Sequence, residues 1–582
     1  MNELGDVAMK KDVLVLGIND GHDASAAIIK NGSVLAAIAE ERLRKIKHFG
    51  GVPSESLQAV FKVAKVQPEE IDIVAISGLN IVLPALKSTS GFGHMFASAL
   101  HSTFIKYTPL IESSDSLVRL AVKVLHRFRP TEGLFKILNE LGLSEKKVTF
   151  IEHHLAHAAS TYRTCPWTED TLILTSDFVG DWISSTVNVG RNNVITRIAQ
   201  STLVNSVGAF YTSMTKYLGL KPWNDEYKVM GLAPYGKSEY PYSIMKKMIG
   251  LSPKYPLVFQ NNLHGHYTRK FGTISRMLRF QRFDNIAAAV QKRLEDLLST
   301  WVRNSIEKTD IHKVALAGGI FLNVKANMKI RKMPEVEDVF TFPAAGDAGT
   351  AVGAALEAYS QFCKAEGLKS RKVFLKDVYF GPQYSTERIE HVLKAEGLSE
   401  KAQYCQNIAQ VVGEHVANGK IIAWFDGRME FGPRALGNRS ILADASDWRM
   451  VSRINEKIKH RTWWMPFAPA ILKKRVPDYL VEPEDSPYMT MAFETTNARN
   501  EIIAAVHPKD FTVRPQTLDV AWNPRYHEIL STFEEIRGIG GILNTSFNLH
   551  GYPIVCTPQQ AIWTYKNSAL DGLAMGNYLL LR

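Results

Sequence analysis

The strongest constraint on this chain is a strand-and-turn unit that occurs twice. Residues 12–18, DVLVLGI, form a short apolar run; a polar turn, NDGHD, leads to ASAAIIK, and Asn31-Gly32 joins this to a third run, SVLAAIAEE. Asn-Gly supplies the positive φ angles of a tight hairpin, so three successive strands are predicted. A comparable unit lies at 171–189, TLILTSDFVGDWISSTVNV, where an apolar strand ends at Asp177 and a Gly180-Asp181 turn precedes an alternating strand. Two such hairpins predict duplicated subdomains in a mixed α/β fold. Glycine-rich strand-to-helix turns follow, at Gly318-Gly319 ahead of Asn323 and Asn327, and at Asp347 ahead of GTAVGAALEAY. Such turns expose backbone N–H groups at a positive helix end, which suits nucleotide phosphates and equally serves caps and close packing.

A length of 582 residues implies a few domains. With 45% hydrophobic and 22% charged residues, the composition excludes a disordered or collagenous chain. No run approaches the roughly eighteen apolar residues of a membrane span, and MNELGDVAMKK lacks the apolar core of a secretory signal. A cytoplasmic protein without a membrane partner is therefore expected. The net charge, 69 − 58 = +11, is a mild bias toward anionic partners. The four cysteines stand far apart without a CxxC, which argues against a disulfide framework or a thiolate zinc site. Residues 231–238, GLAPYGKS, match a phosphate-binding loop pattern, but its mechanism needs a strand before and a helix after. The charged PWNDEYKVM and the early Pro241 predict neither, so that reading is set aside.

In IEHHLAHAASTY, His153 and His157 stand four apart on a helix-forming stretch, so both rings share one face and His154 points elsewhere. With carboxylates from distant turns, such as Asp177 or Asp347, they would make a site suited to Fe(II), Mn(II) or Zn(II). An isolated H-x-x-x-H is as often a pair of satisfied or surface histidines. HGH at 264–266 reads as loop. A new segment begins near 370, with helices at 385–397 and 405–419. It is dense in Arg, Gly, Asn and Ser set within apolar strands: Arg434 and Arg439 among glycines, then Lys457, Lys459 and Arg461, then FTVRPQT and LNTSFN. Arginine forks and close-approaching glycines predict an anion pocket rather than solvated basic faces.

These residues resemble, over nearly the whole length, the O-carbamoyltransferase family of nodulation-factor, cephalosporin and tobramycin carbamoyltransferases. The resemblance rests on GINDGHDASAA, EERLRKIKHFGG, HHLAHAASTY, the Asp177 to Asp181 turn, EYKVMGLAPYG, AGGIFLN, GDAGTAVGAAL, FGPRALGNRSILAD, the Lys459 to Pro469 stretch and LNTSFN. It implies an actin-like (ASKHA) duplicated N-terminal domain over 1–370 and a smaller α/β domain over 371–582, similar to the enzyme that makes threonylcarbamoyl-adenylate (YrdC-like). In such enzymes the C-terminal site takes carbamoyl phosphate to carbamate and phosphate, and carbamate attacks the α-phosphorus of ATP to give carbamoyl-adenylate and pyrophosphate. At the N-terminal site a small-molecule hydroxyl then attacks the carbamoyl carbon and AMP leaves.

Carried onto this sequence, the resemblance implies a carbamoyl-phosphate pocket of Arg434, Lys459, Arg514 and Ser546, with Arg434 and Lys459 acting in the chemistry. His153, His157, Asp177 and Asp347 match metal ligands for Fe(II) holding the nucleotide phosphate, with Mg2+ expected on ATP. His22 matches a general base beside the acceptor hydroxyl, and Lys47 a group stabilising the developing charge. Gly318, Gly319, Asn323, Glu226 and Lys228 match nucleotide-side motifs. The chain departs from the family pattern at Phe178 for Gly, Thr462 for an acid, Phe511 for Gly and Tyr552 for Glu. A tRNA-modifying enzyme and a non-catalytic nucleotide-binding scaffold are the alternatives; no arginine-rich arm favours nucleic acid, and the full ligand set argues against a scaffold. Segments without shared motifs, 80–135 and 240–285, are expected to supply the acceptor pocket, and a homodimer is left open.

Overall fold

The computed structural model describes residues 12–79, 132–263 and 265–582. The predicted three-strand unit is present as β1 (Leu14–Asn19), β2 (Ser25–Lys30) and β3 (Ser33–Ala39), with Asn31 and Gly32 at φ of 50° and 83° in the hairpin turn. The terminal Glu40 and Glu41 of the third run open a helix instead of extending the strand. With β4 (Ile73–Ser77) and β5 (Lys147–Ile151) they form a five-stranded sheet of order β3-β2-β1-β4-β5, antiparallel in the hairpins and parallel from β1 to β5. A second sheet contains β6 (Thr171–Gly180), β7 (Ile183–Arg191), β8 (Val194–Thr202), β9 (Lys313–Ala317) and β10 (Asp338–Thr341) in the order β8-β7-β6-β9-β10. Strand order and pairing sense are the same in both sheets, so the repeated hairpin in the sequence marks a repeated sheet.

The two sheets are tied by exchanged helices. His153–Tyr162 follows β5 but packs on β6 and β9, whereas Thr350–Ala365 follows β10 but packs on β1 and β4. The helices cross where a Cβ on Gly353 would lie 1.9 Å from the Ala156 carbonyl oxygen, so only glycine permits the approach. Small residues fill the rest of the contact, with Ala351, Ala354, Ala355 and Ala158 fully buried.

Beyond residue 370 the chain first runs along the two sheets, with Val373 and Leu375 N–H donating to Arg163 and Thr164 carbonyls and the Phe380 carbonyl accepting from Ala37. It then builds an eight-stranded mixed sheet from β11 (Ala402–Tyr404), β12 (Ile422–Phe425), β13 (Arg439–Ala443), β14 (Ala468–Leu472), β15 (Gln516–Leu518), β16 (Gly541–Ser546), β17 (Gly572–Met575) and β18 (Tyr578–Leu581). The order is β11-β18-β17-β12-β13-β16-β14-β15. The expected helices occupy Thr386–Ala395 and Ile408–Ala417. Among the described residues no helix is long and apolar enough to cross a membrane. All four cysteines are buried and free.

Around 231–238 one expectation fails. A helix, Glu239–Met248, does follow Ser238, because Pro241 falls in its first turn, where its missing N–H costs nothing. The segment before is the helix Glu226–Leu232 rather than a strand, so the phosphate-binding loop is excluded on the other side.

Candidate functional site

One cavity of about 660 Å³ is walled by residues from around the three large sheets. At one end the helix start at His153 is fixed by acids: Glu152 accepts from the N–H groups of His154 and Leu155, and Asp181 accepts from His153 N–H at 2.8 Å. These bonds satisfy the first turn of the helix and set its rotation. Gly180 makes room for the His153 ring, since a Cβ there would lie 2.0 Å from its Cδ2. His153 and His157 then turn Nε2 atoms toward each other at 3.1 Å. Asp177, on β6, approaches His157 Nε2 to 3.1 Å and His153 Nε2 to 3.6 Å; Asp347 Oδ1 lies 3.4 and 3.5 Å from the same nitrogens.

His154 points away, as the helical spacing predicts, bonding Thr175 Oγ1 at 2.8 Å and the Ile183 carbonyl at 3.0 Å. Burial and the neighbouring His153 push it down to about 3. Burial and the adjacent Asp177 carboxylate hold Asp347 well above the carboxylate range. Asp177 is held well below it: its own burial is outweighed by hydrogen bonds from His153 and His157. Burial opposes charge on His153 too, but Asp347 and Asp177 raise it. Asp347 Oδ1 and His157 Nδ1 are buried without a hydrogen-bond partner. Two imidazoles and two carboxylates converging within 4.8 Å, one oxygen unsatisfied, fit a divalent transition ion.

The NDGHD turn docks beside this cluster. Asn19 Nδ2 donates to the Asp347 carbonyl at 3.1 Å and Ser25 Oγ to that of Ala348 at 2.8 Å. His22 Nδ1 lies 3.8 Å from Asp347 Oδ2 and 3.5 Å from Asp23. Asp23 in turn bonds His48 Nδ1 at 2.8 Å, and the His22 and His48 rings stack at 5.6 Å. Asp23 and His48 lie in the NDGHD turn and the EERLRKIKHFGG motif, but the sequence assigns neither a side-chain role and does not predict their pairing. Lys47 lines the same wall over the Tyr227 ring, and burial lowers its pKa despite Glu41 nearby.

At the opposite end lie Arg434, Lys459, Arg461 and Arg514, which share the cavity. Burial pushes Arg434 and Arg461 down to about 10. Arg514 falls well below the arginine range through burial and then repulsion from Arg434 and Arg461, and its Nε has no hydrogen-bond partner. Lys459, depressed by burial and by Arg461, donates to the Ser546 carbonyl, to its hydroxyl at 3.2 Å and to Asn548 Oδ1 at 2.7 Å. The turn carrying Arg434 packs at Gly432 against Pro343 and Ala344 of the Asp347 loop, and Arg434 reaches the Leu322 carbonyl at 3.4 Å. Desolvating each such cation costs several kcal/mol without an opposing charge, so the group is built to receive an anion. Arg461, expected in the anion pocket from its sequence surroundings, lines the cavity beside the carbamoyl-phosphate set that the resemblance implies, and Asn548 joins it.

The remaining expected residues are placed less uniformly. Gly319, Asn323 and Glu226 line the cavity, but Asn323 caps a helix and pairs with Gln291, and Glu226 accepts from Thr212 and from Trp223 N–H. Lys228 is buried against Asp225 at 3.0 Å, outside the lining, and Gly318 ties its loop to the Ala345 carbonyl at 2.7 Å. None of the described residues in 240–285 lines the cavity, contrary to expectation, although His266 meets the Phe178 ring at 6.0 Å. Residues 80–131 and His264 lie outside the described residues.

Comparison with known proteins adds an independent finding. Residues 14–356 match the family model for a carbamoyltransferase N-terminus and 413–582 that for a carbamoyltransferase C-terminus. Nodulation protein NolNO of Sinorhizobium fredii is 33% identical, over 96% of this chain and 79% of its own. The 3'-hydroxymethylcephem-O-carbamoyltransferase of Amycolatopsis lactamdurans is 23% identical over 97% of this chain and 98% of its own. Among solved structures, component A of the Acidaminococcus fermentans (R)-2-hydroxyglutaryl-CoA dehydratase aligns with 60% of this chain and 98% of its own, at a TM-score of 0.31 and 14% identity.

Proposed function

The chain belongs to the carbamoyltransferase family, and on that premise we propose that it makes carbamoyl-adenylate from carbamoyl phosphate and ATP and passes the carbamoyl group to a hydroxyl of a small molecule. The observation that carries this reading is the joining, in one cavity, of buried cations that no carboxylate pairs among the described residues and a four-donor cluster. The reading treats the paired five-stranded sheets as an actin-like nucleotide-binding unit and the eight-stranded sheet as the adenylate-forming one, with the division near residue 370.

Arg434, Arg514 and Lys459 would neutralise the phosphate of carbamoyl phosphate, while Ser546 and Asn548, already bonded to Lys459, orient it. Hydrolysis there gives carbamate and phosphate. A carbamate oxygen attacks the α-phosphorus of ATP and pyrophosphate departs. The carbamoyl-adenylate then need not leave the protein to reach the other end. His22 takes the proton from the acceptor hydroxyl as its oxygen bonds to the carbamoyl carbon, the C–O bond to AMP breaks, and Lys47 meets the developing charge. His153, His157, Asp177 and Asp347 would hold a divalent ion, for which Fe(II) is the first choice; such an ion neutralises nucleotide phosphate.

The test is carbamoyl-phosphate-dependent release of pyrophosphate from ATP by protein loaded anaerobically with Fe(II). Wild type is expected to release it and Arg434→Ala to lose it. No carbamoyl-phosphate-dependent release with Fe(II), Mn(II) or Zn(II), with or without alcohols present, would overturn the reading.

A further inference from the structure

Residues 240–283 carry eight Lys or Arg and no Asp or Glu, so this stretch supplies most of the chain's net +11. It is also the stretch expected to form an acceptor pocket, and none of its described residues lines the cavity. Three of its aromatic side chains face water: Phe280 is 90% exposed, Tyr240 71% and Phe283 58%. Phe280 has φ of 67°, left-handed backbone that a bulky residue rarely adopts, and at that exposure almost no burial offsets the strain.

The fold gathers these rings at the start of the helix Phe283–Thr309. The helix Phe271–Met277 and the residue after it are anchored by Ile274 and Leu278, both fully buried, and the chain turns outward at Arg279 and Phe280 before the long helix begins. Gly236 brings the turn before Tyr240 onto the same place: a Cβ there would lie 2.0 Å from the Asp284 carbonyl oxygen, and Lys237 N–H donates to Asn285 Oδ1 at 2.8 Å. Cations stand among the aromatics. Arg279 lies over the Phe280 ring at 4.8 Å, and among the described residues Arg276 and Arg279 make no ion pair. Arg282 holds Asp284 at 2.7 Å, and Glu239, next to Tyr240, is exposed.

We propose that this tip docks on the surface of a bilayer rich in anionic headgroups, with Phe280 and Phe283 entering the headgroup region and Arg276 and Arg279 at the level of the phosphates. Charge complementarity selects the partner: a stretch of cations without acids is attracted to an anionic surface, and apolar rings beside them gain by entering it. A second copy of the chain would bring like charges together. A nucleic-acid strand stacks its bases on ring faces, and Arg279 already covers one face of Phe280. That no apolar run is long enough to span a bilayer bears on spanning only; a surface contact needs an apolar tip and cations. The tip lies outside the cavity and is independent of the chemistry proposed above.

Co-sedimentation of the whole chain with vesicles tests this. The protein should pellet with vesicles of phosphatidylglycerol and phosphatidylcholine, release as salt rises, and stay in solution with phosphatidylcholine alone. Phe280→Gly should weaken binding to the anionic vesicles about tenfold, while its melting temperature holds or rises because glycine relaxes the positive φ. Arg276→Gln and Arg279→Gln should each weaken it about fivefold at low salt. All four native cysteines are buried, so Phe280→Cys takes an environment-sensitive dye at the tip alone, and its emission should shift to the blue on anionic vesicles. No pelleting with anionic vesicles, pelleting unchanged in Phe280→Gly and in both arginine variants, or an unshifted dye on pelleted protein would overturn the proposal. Binding of a polyuridine strand that Phe280→Gly weakens, without vesicle binding, would assign the tip to nucleic acid instead. A dimer that Phe280→Gly dissociates, again without vesicle binding, would assign it to a second copy.

Discussion

The two ends of the cavity solve the problem of buried charge in opposite ways. At the His153 end acids and bases neutralise one another: Asp177 is depressed, Asp347 raised and His153 raised, and the nitrogens and oxygens stand 3.1 to 3.6 Å apart. At the Arg514 end no carboxylate pairs with the four cations among the described residues, and burial pushes all four down. The first end can persist without a ligand by sharing protons. On the proposed reading the second is strained until an anion arrives, and the difference would then separate a site that exchanges protons for a cation from one that exchanges strain for an anion.

The largest expected effect lies at the strained end. Arg434→Ala should lower carbamoyl-phosphate-dependent pyrophosphate release by about 10²–10³-fold, the usual loss when one preorganised charge donor is removed. Arg514→Met sharpens the contrast: without ligand it should melt higher than wild type, because it removes an unpaired buried cation, yet lose the stabilisation that inorganic phosphate gives wild type. Calorimetry with and without phosphate checks both. A lower ligand-free melting temperature for Arg514→Met would break the comparison by showing the cations compensated.

At the proton-sharing end, His157→Ala should abolish bound divalent metal by elemental analysis while leaving the phosphate-induced thermal shift in place. Because His153 and Asp347 are both raised, binding a cation there expels protons, so affinity should already be falling as pH drops toward the ordinary histidine value of about 6.5 from above. Titration calorimetry in buffers of different ionisation heat reads the protons directly. Release of none would mean that the cluster is deprotonated before metal arrives.

A smaller effect is expected beside it. His48 is raised because Asp23 outweighs its burial. A raised folded pKa stabilises fully below the unfolded value of about 6.5 and is lost as pH climbs through the folded value. The melting-temperature gap between wild type and His48→Gln should therefore be widest in mild acid and close above neutrality. A gap independent of pH would reduce the Asp23–His48 pair to packing.

Legibility from sequence follows the same division by distance along the chain. The duplicated sheets were readable because Asn31-Gly32 and the apolar runs beside it act within a few residues. H-x-x-x-H was readable for the same reason: helical spacing alone puts His153 and His157 on one face. Asp177 and Asp347 could be offered only as candidate partners until the resemblance matched both to ligands, since the meeting depends on helices exchanged between sheets and on Gly353. The pairing of Asp23 with His48 escaped because it spans a whole strand pair, and neither residue signals the other locally. Phe280 escaped for a subtler reason: positive φ at a phenylalanine contradicts local preference, so no local rule could signal it. Pro241 misled in the opposite direction, because a proline signals the end of a helix or its first turn, and only the neighbouring Glu239 start decides between them.

The smallest effect concerns His154, which shares the helix and the neighbourhood of the ligand pair but none of its chemistry. Its ring is saturated by Thr175 and the Ile183 carbonyl, joining helix to hairpin, and at about 3 it stays neutral throughout the working range. His154→Gln should therefore cost about 1–2 kcal/mol of stability through one imperfectly replaced buried hydrogen bond, with metal content unchanged and no new dependence on pH between 5 and 8. Denaturant titration and elemental analysis on the same preparation decide it. Loss of metal with stability intact would move His154 into the ligand set, and the neutralised end of the cavity would then hold one more donor than its carboxylates require.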